Sequence, residues 1–115
     1  MKVKVRISIV NNDNKAYMGI GLVWLLERIK KYSSIRKAAK DMNMSYAKAH
    51  KILDELEANI NRKLLIKKIG GLEGGGAKLT PFGEKFLKSY SEFQKRVESY
   101  TEEEFKSITD LVQRG

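Results

Sequence analysis

Residues 34–80 read SIRKAAKDMNMSYAKAHKILDELEANINRKLLIKKIGGLEGGGAKLT, and their order decides the fold. The pattern predicts a short helix, a tight turn, a second helix and two short apolar runs around a glycine-rich loop. That is a helix-turn-helix over 34–59 followed by a β-wing over 64–80. Ser34 is placed to cap the first helix, because its hydroxyl can accept a bond from an orphan backbone N–H. Ile35, Ala38, Ala39 and Met42 then recur at helical spacing, and the two alanines allow a second helix to cross closely. Asn43 suits the turn, since Asn tolerates the left-handed conformation. Ser45 caps the second helix, whose buried stripe is Ala49, Ile52, Leu53 and Leu56. The opposite side carries Ala47, Lys48, His50 and Lys51 at its start and Asp54, Glu55 and Glu57 at its end. A helix basic at its beginning and acidic at its end fits a recognition helix that enters the major groove by its first turns.

In the wing, Leu64, Leu65 and Ile66 run into Lys67 and Lys68, and Ala77, Lys78 and Leu79 return. Between them lie Gly70, Gly71, Leu72, Glu73, Gly74, Gly75 and Gly76. Lys67, Lys68 and Lys78 would lie near a nucleic-acid backbone and position the protein without reading sequence. Gly71 and Gly76 have the outer spacing of a phosphate-binding loop, but Ala77 stands where that motif needs Lys and no helix opens directly after it. A plain structural hairpin is the fairer alternative.

At 115 residues with 42% hydrophobic content, the chain is one small folded domain. It has no cysteine, which excludes disulfides and thiolate metal sites and agrees with a reducing compartment. No run approaches the ~18 apolar residues of a membrane span, and charges interrupt the N-terminal apolar residues too often for a signal peptide. The net charge is +9, with residues 1–80 at +10 and residues 81–115 at −1. The excess positive charge therefore lies with the helix-turn-helix, as expected of a domain that binds polyanions.

Before the motif, Met1–Val10 alternates strictly, with Val3, Val5, Ile7 and Ile9 on one side, and predicts a half-buried strand. Asn11, Asn12, Asp13 and Asn14 form a turn, and Lys15–Met18 returns, giving an N-terminal hairpin over 1–18. Leu22–Tyr32 follows as a helix apolar over most of its circumference, through Leu22, Val23, Trp24, Leu25, Leu26 and Ile29. Such a helix is buried from several sides, either as ordinary core or partly as a dimer interface. After the wing, Thr80 caps a helix that has Pro81 at its first position. Phe86, Tyr90, Phe93, Val97 and Tyr100 recur at alternating four and three, a heptad seam suited to pairing with a second copy. Glu104 ends the seam. Thr101 and Glu104 have capping-box spacing, so a break near Thr101 and a second short helix to Gln113 are expected.

SIRKAAKDMNMSYAKAHKILDELE together with GGLEGGGAKLTPFGEKFL resembles the N-terminal DNA-binding domain of ModE-type molybdate-responsive transcription regulators, itself related to the winged helix of LysR-type regulators. The likeness covers nearly the whole chain. It follows a pattern close to S-I-x-x-A-A-K, M-S-Y-x-x-A-W and G-G-K-G-G-G-G-A-x-L-T-x-x-G. It implies that Ser45, Tyr46 and Lys48 begin the recognition helix, that Gly70, Gly71, Gly74, Gly75 and Gly76 build the wing, and that an N-terminal hairpin precedes them. His50 departs from the family's Trp, and Leu72 and Glu73 replace Lys and Gly at the wing tip, where an acidic group weakens phosphate contact. Full-length members carry C-terminal molybdate-binding domains. This chain is expected to lack them.

The resulting expectation is an α+β, mainly α protein: a winged helix-turn-helix over 1–80 with a C-terminal helical dimerisation segment over 81–115. It would bind double-stranded DNA sequence-specifically as a homodimer in transcription regulation, in a prokaryotic cytoplasm and at the nucleoid. Ser45, Tyr46, Lys48, His50 and Lys51 are the expected base-reading residues. Ser34, Arg36, Lys37, Lys67, Lys68 and Lys78 are the expected phosphate contacts, and Leu22, Trp24, Leu25, Phe86, Tyr90, Phe93, Val97 and Tyr100 the expected dimer interface. His50 is the only histidine, and no metal site, cofactor or catalytic residue is expected. Either an effector binds a separate sensing protein, or the protein responds only to its own concentration. The rival classes are a DNA-compacting protein without sequence preference, and a protein-interaction module that has kept the fold and lost DNA.

Overall fold

Three short helices bury their apolar faces against one another, and everything else is attached to that nucleus. In the computed structural model, which describes residues 1–68 and 76–115, the order is β1 (Ile9–Val10), β2 (Ala16–Met18), α1 (Ile20–Tyr32), α2 (Ile35–Asp41), α3 (Tyr46–Ile60), β3 (Leu65–Lys67), β4 (Ala77–Leu79) and α4 (Pro81–Arg114). Leu25, Leu26, Ile29, Ala38, Ala39, Ala49, Leu53 and Leu56 form the centre, none more than 2% exposed. Ala38 and Ala39 face this centre, and their small size is what lets α2 lie close to its neighbours.

The helix ends are set by the side chains the sequence supplies. The Ser34 hydroxyl accepts a bond from Lys37 N–H, and Ser45 accepts from Lys48 N–H, both at 3.1 Å. Asn43, with φ of 54°, makes the left-handed turn between α2 and α3, and Asn61, with φ of 56°, ends α3 in the same way. Arg28 in α1 is paired with Asp41 at the end of α2 at 2.7 Å.

The wing strands pair antiparallel, with Leu65 opposite Leu79, Ile66 opposite Lys78 and Lys67 opposite Ala77. Leu65, Ala77 and Leu79 are buried, so one face of the hairpin closes the core. Polar contacts at Glu57, Ala77 and Thr80 fix it there. Glu57 of α3 accepts from Leu64 N–H at 2.7 Å and Leu65 N–H at 3.2 Å. Ala77 N–H donates to Ser33 O in the α1–α2 turn at 3.0 Å. Thr80 Oγ1 accepts from Gly83 N–H at 2.9 Å, capping α4, and donates to Lys63 O at 2.8 Å. Gly70, Gly71, Gly74 and Gly75, with Leu72 and Glu73, lie outside the described residues. Gly76 lies within them, and its carbonyl accepts from Lys68 N–H at 2.7 Å.

Two expectations need correction. Met1–Val10 is not a strand throughout, because only Ile9 and Val10 pair, with Met18 and Ala16. The alternation is nevertheless real: Val3, Val5, Ile7 and Ile9 are half-buried, and the residues between them are exposed. The segment has α4 beside it instead of a second strand, and α4 satisfies its backbone with side chains. Gln94 accepts from Ile7 N–H at 3.4 Å and donates to Val5 O at 3.0 Å, while Tyr90 O–H donates to Ile7 O. Burial pushes the Tyr90 phenol above its ordinary value, which keeps the donor in place.

The second correction concerns α4, which runs unbroken from Pro81 to Arg114. Thr101 turns its hydroxyl back to Val97 O, at 2.7 Å, instead of capping a new helix. No Gly or Pro lies between Glu84 and Arg114 to interrupt the backbone bonds, so continuing the helix costs less than ending and restarting it.

The burial of α1 is as its composition suggests: Leu22, Val23, Leu25, Leu26 and Ile29 are buried, and Trp24 is 46% exposed. Leu22, Leu25 and Tyr90 therefore belong to the protomer's own core and leave no surface for a second copy.

Where α4 begins, Gly83 lies against the backbone of Leu64. A Cβ built there would overlap the Leu64 carbonyl oxygen. Gly83→Ala is expected to lower stability by about 1–3 kcal/mol, read as an earlier urea midpoint with an unchanged slope.

Candidate nucleic-acid interface

The exposed side of α3 is a helix face aligned by its own periodicity. Tyr46, His50 and Asp54 recur every four residues and form one stripe, Ala47 and Lys51 form the next, and Lys48 lies on the far flank. Tyr46, Lys48 and Lys51 are exposed and His50 is half-exposed. Ser45 stands at the N-cap with its hydroxyl oxygen engaged by the backbone.

The stripe is joined to its neighbours on both sides. The Arg36 guanidinium of α2 lies over the Tyr46 ring, 4.4 Å from its centroid. Tyr46 and His50 have ring centroids 5.8 Å apart at a tilt of 55°. His50 Nδ1 is 2.9 Å from Asp54 Oδ2, and His50 Nε2 is 2.7 Å from Lys67 Nζ of β3. Lys67 Nζ is also 3.9 Å from Asp54 Oδ1. A continuous strip of contacts thus runs from α2 across the start of α3 to the wing. It unites Arg36, Tyr46, His50 and Lys67, four of the residues singled out from sequence.

Among the described residues, Ser34, Lys68 and Lys78 make no contact that joins the strip. Lys78 sits opposite Ile66, while Lys67 sits opposite Ala77, so the two lysines project from opposite faces of the hairpin. Lys37 and Lys68 are exposed, as is Lys78, and Ser34 is half-buried in its capping role. On α4, Phe86 and Val97 are half-buried, and Phe93 and Tyr100 are 47% and 68% exposed. Beyond them, Ile108, Leu111 and Val112 are exposed as well, past the point where the seam was expected to stop.

Sequence reasoning missed the two carboxylates that organise this surface. The acidic end of α3 reads most simply as a solvated face, and Asp54 is indeed exposed while it holds the imidazole of His50. Glu57 departs from that reading: its side chain is 10% exposed and holds the entry to the wing. Neither carries a local signal, because each partner set includes residues seven or more positions away. Among the described residues, no group of three or more His, Asp or Glu side chains could hold a metal ion.

These features define a winged helix-turn-helix whose recognition helix faces solvent. The family described as bacterial regulatory helix-turn-helix protein, lysR family, matches residues 22–84, and the chain belongs to it. The transcriptional regulator ModE of Haemophilus influenzae is 38% identical over 68 residues, which are 59% of this chain and 27% of that protein. The molybdenum transport protein ModE of Azotobacter vinelandii is 35% identical over 66 residues, 57% of this chain and 24% of that protein. A solved structure of Vibrio fischeri DarR in complex with DNA aligns with 81% of this chain and 30% of that one, at 21% identity and a TM-score of 0.47. The chain therefore spans about a quarter of the length of the curated relatives it matches.

The N-cap of α3 sets the start of the exposed face. Ser45→Ala is expected to lower stability by about 1 kcal/mol, with the loss visible in urea unfolding followed by helical circular dichroism.

Proposed function

We propose that this chain binds double-stranded DNA sequence-specifically, as a two-fold symmetric homodimer, and regulates transcription. The observation that carries the reading is the strip from Arg36 through Tyr46 and His50 to Lys67, laid across the first turns of a solvent-facing helix in a chain of net charge +9. Membership of a regulatory helix-turn-helix family supports it. In this arrangement Tyr46, Lys48, His50 and Lys51, with Ser45 at the helix start, face the base edges of the major groove. Arg36, Lys37 and the wing lysines Lys67, Lys68 and Lys78 neutralise phosphates, with Ser34 at the N-terminus of α2.

Dimerisation is supported by the apolar surface that the protomer leaves uncovered. Trp24, Phe93, Tyr100, Ile108, Leu111 and Val112 are all at least 46% exposed. Phe93, Tyr100 and the C-terminal trio belong to one continuous helix, and pairing it with a second copy would bury them. Two copies place two recognition helices on successive turns of the groove and lengthen the site that is read. No helix among the described residues is long and apolar enough to cross a membrane. Action in the cytoplasm at the nucleoid, with any effector sensed by a separate protein, completes the reading.

The test is selection from a randomised duplex pool at two salt concentrations, followed by sequencing of the retained DNA. An enriched inverted repeat is expected, with affinity falling steeply as salt rises. Strong retention without enrichment would instead identify a DNA-compacting protein, and no retention at low salt an interaction module. Lys48→Ala is expected to cost about 1–3 kcal/mol of binding and to relax preference at one position per half-site if Lys48 reads a guanine.

A further inference from the structure

The contacts of His50 leave only one hydrogen arrangement open. An ammonium group has hydrogens to donate and no lone pair to accept with. Lys67 Nζ, 2.7 Å from His50 Nε2, therefore donates, and Nε2 holds a free pair of electrons toward it. The ring hydrogen must then be on Nδ1, which donates to the Asp54 carboxylate at 2.9 Å. Asp54 lies one helical turn further along α3, so the helix itself holds carboxylate and imidazole in register. The outcome is a hydrogen-bond acceptor aimed away from Asp54, toward the side from which the wing approaches.

Lys67 holds that acceptor in the free protein. It is a flexible side chain from an exposed strand residue, with the ordinary attraction of an ammonium for phosphate. In the DNA-bound arrangement proposed above, Lys67 neutralises a phosphate, and Nε2 would then need a donor to replace it. The major groove supplies donors only from exocyclic amino groups, on adenine N6 and cytosine N4. The guanine N7 and O6 and the thymine O4 are acceptors.

We propose that His50 is a specificity-determining residue that accepts a hydrogen bond from an exocyclic amino group, with Asp54 as its positioning residue. The base facing it is then adenine or cytosine. This rests on the DNA-binding reading above and deepens it by naming the chemistry of one base position. Tyr46 flanks the ring, with Arg36 of α2 over the phenol, and Lys51 follows His50 on α3. Neither a guanidinium, a phenol nor an ammonium there takes the hydrogen from Nδ1, because the Asp54 carboxylate already accepts it.

Pool selection at about pH 8, above the ordinary titration range of imidazole, tests this with the full chain and three variants. One base pair in each half-site of the wild-type site is expected to be preferred by roughly threefold to tenfold, the worth of one net hydrogen bond, and to lose that preference when its adenine or cytosine lacks the exocyclic amino group. His50→Ala should flatten that position alone, and His50→Arg should convert it to guanine, which a guanidinium grips through O6 and N7. Asp54→Ala frees the imidazole to carry its hydrogen on Nε2, so guanine should be admitted at the same position. Because its lost negative charge also raises affinity for every duplex, base preference is the readout and not affinity. A wild-type site unchanged by His50→Ala, or a preference that survives replacement of the amino-bearing base by its analogue without the amino group (purine for adenine, pyrimidin-2-one for cytosine), would overturn the assignment. An unchanged preference in Asp54→Ala would remove the positioning role. Wild-type protein that retains no duplex at all would overturn the DNA reading itself, and the inference with it.

Discussion

A single carboxylate, that of Glu57, connects the parts of this molecule that must agree with one another. It leaves α3 near its end and accepts the backbone N–H groups of Leu64 and Leu65 as the chain turns into the wing. Backbone donors that leave water must find partners, and these two enter a region where Leu64 and Leu65 are 0% and 6% exposed. A carboxylate is the strongest acceptor a side chain can provide. By holding both donors it fixes where β3 starts relative to α3. The position of Lys67, and so its reach to His50, follows from that anchor.

The ends of the elements are legible in the sequence because they depend on neighbours in the chain. Ser34, Ser45, Thr80 and Asn43 each act within a few residues of themselves, and the structure uses all four as their chemistry suggests. The core stripe of α3 and the burial of α1 are legible for the same reason, since periodicity is a local property. What was not legible depends on distant residues. The first residues alternate like a strand, yet the elements that satisfy them, Tyr90 and Gln94, lie more than eighty positions away. The roles of Asp54 and Glu57 are hidden likewise, because an acidic residue on a helix looks the same whether it faces water or holds a loop.

Thr101 shows how a local signal loses. Its spacing from Glu104 satisfies the rule for a helix start, and a Thr side chain can cap. The same hydroxyl can also bond back to a carbonyl one turn earlier, and it does so to Val97. Which bond forms depends on whether the backbone has another reason to stop, and the stretch from Glu84 to Arg114 contains none. Leu22, Leu25 and Tyr90 teach a related lesson about surfaces. Apolar spacing reports that a face is covered, and only the packed structure reveals whether the cover comes from the same chain or another.

The unbroken α4 has a mechanical consequence. Its 34 residues make a rod roughly 50 Å long, held against the protomer through its first half. At its start, Gly83 rests on the Leu64 carbonyl and Thr80 is bonded to Lys63, and further along Tyr90 and Gln94 are bonded to Ile7 and Val5. The distal half is a lever with its fulcrum at that last contact. A tilt of about 5° there moves the far tip by roughly 3 Å over the ~30 Å that remain. Force applied among Ile108, Leu111 and Val112 is therefore felt first where the N-terminal segment lies along α4. The leverage runs both ways, so the seating of that segment also sets the direction in which the distal helix points.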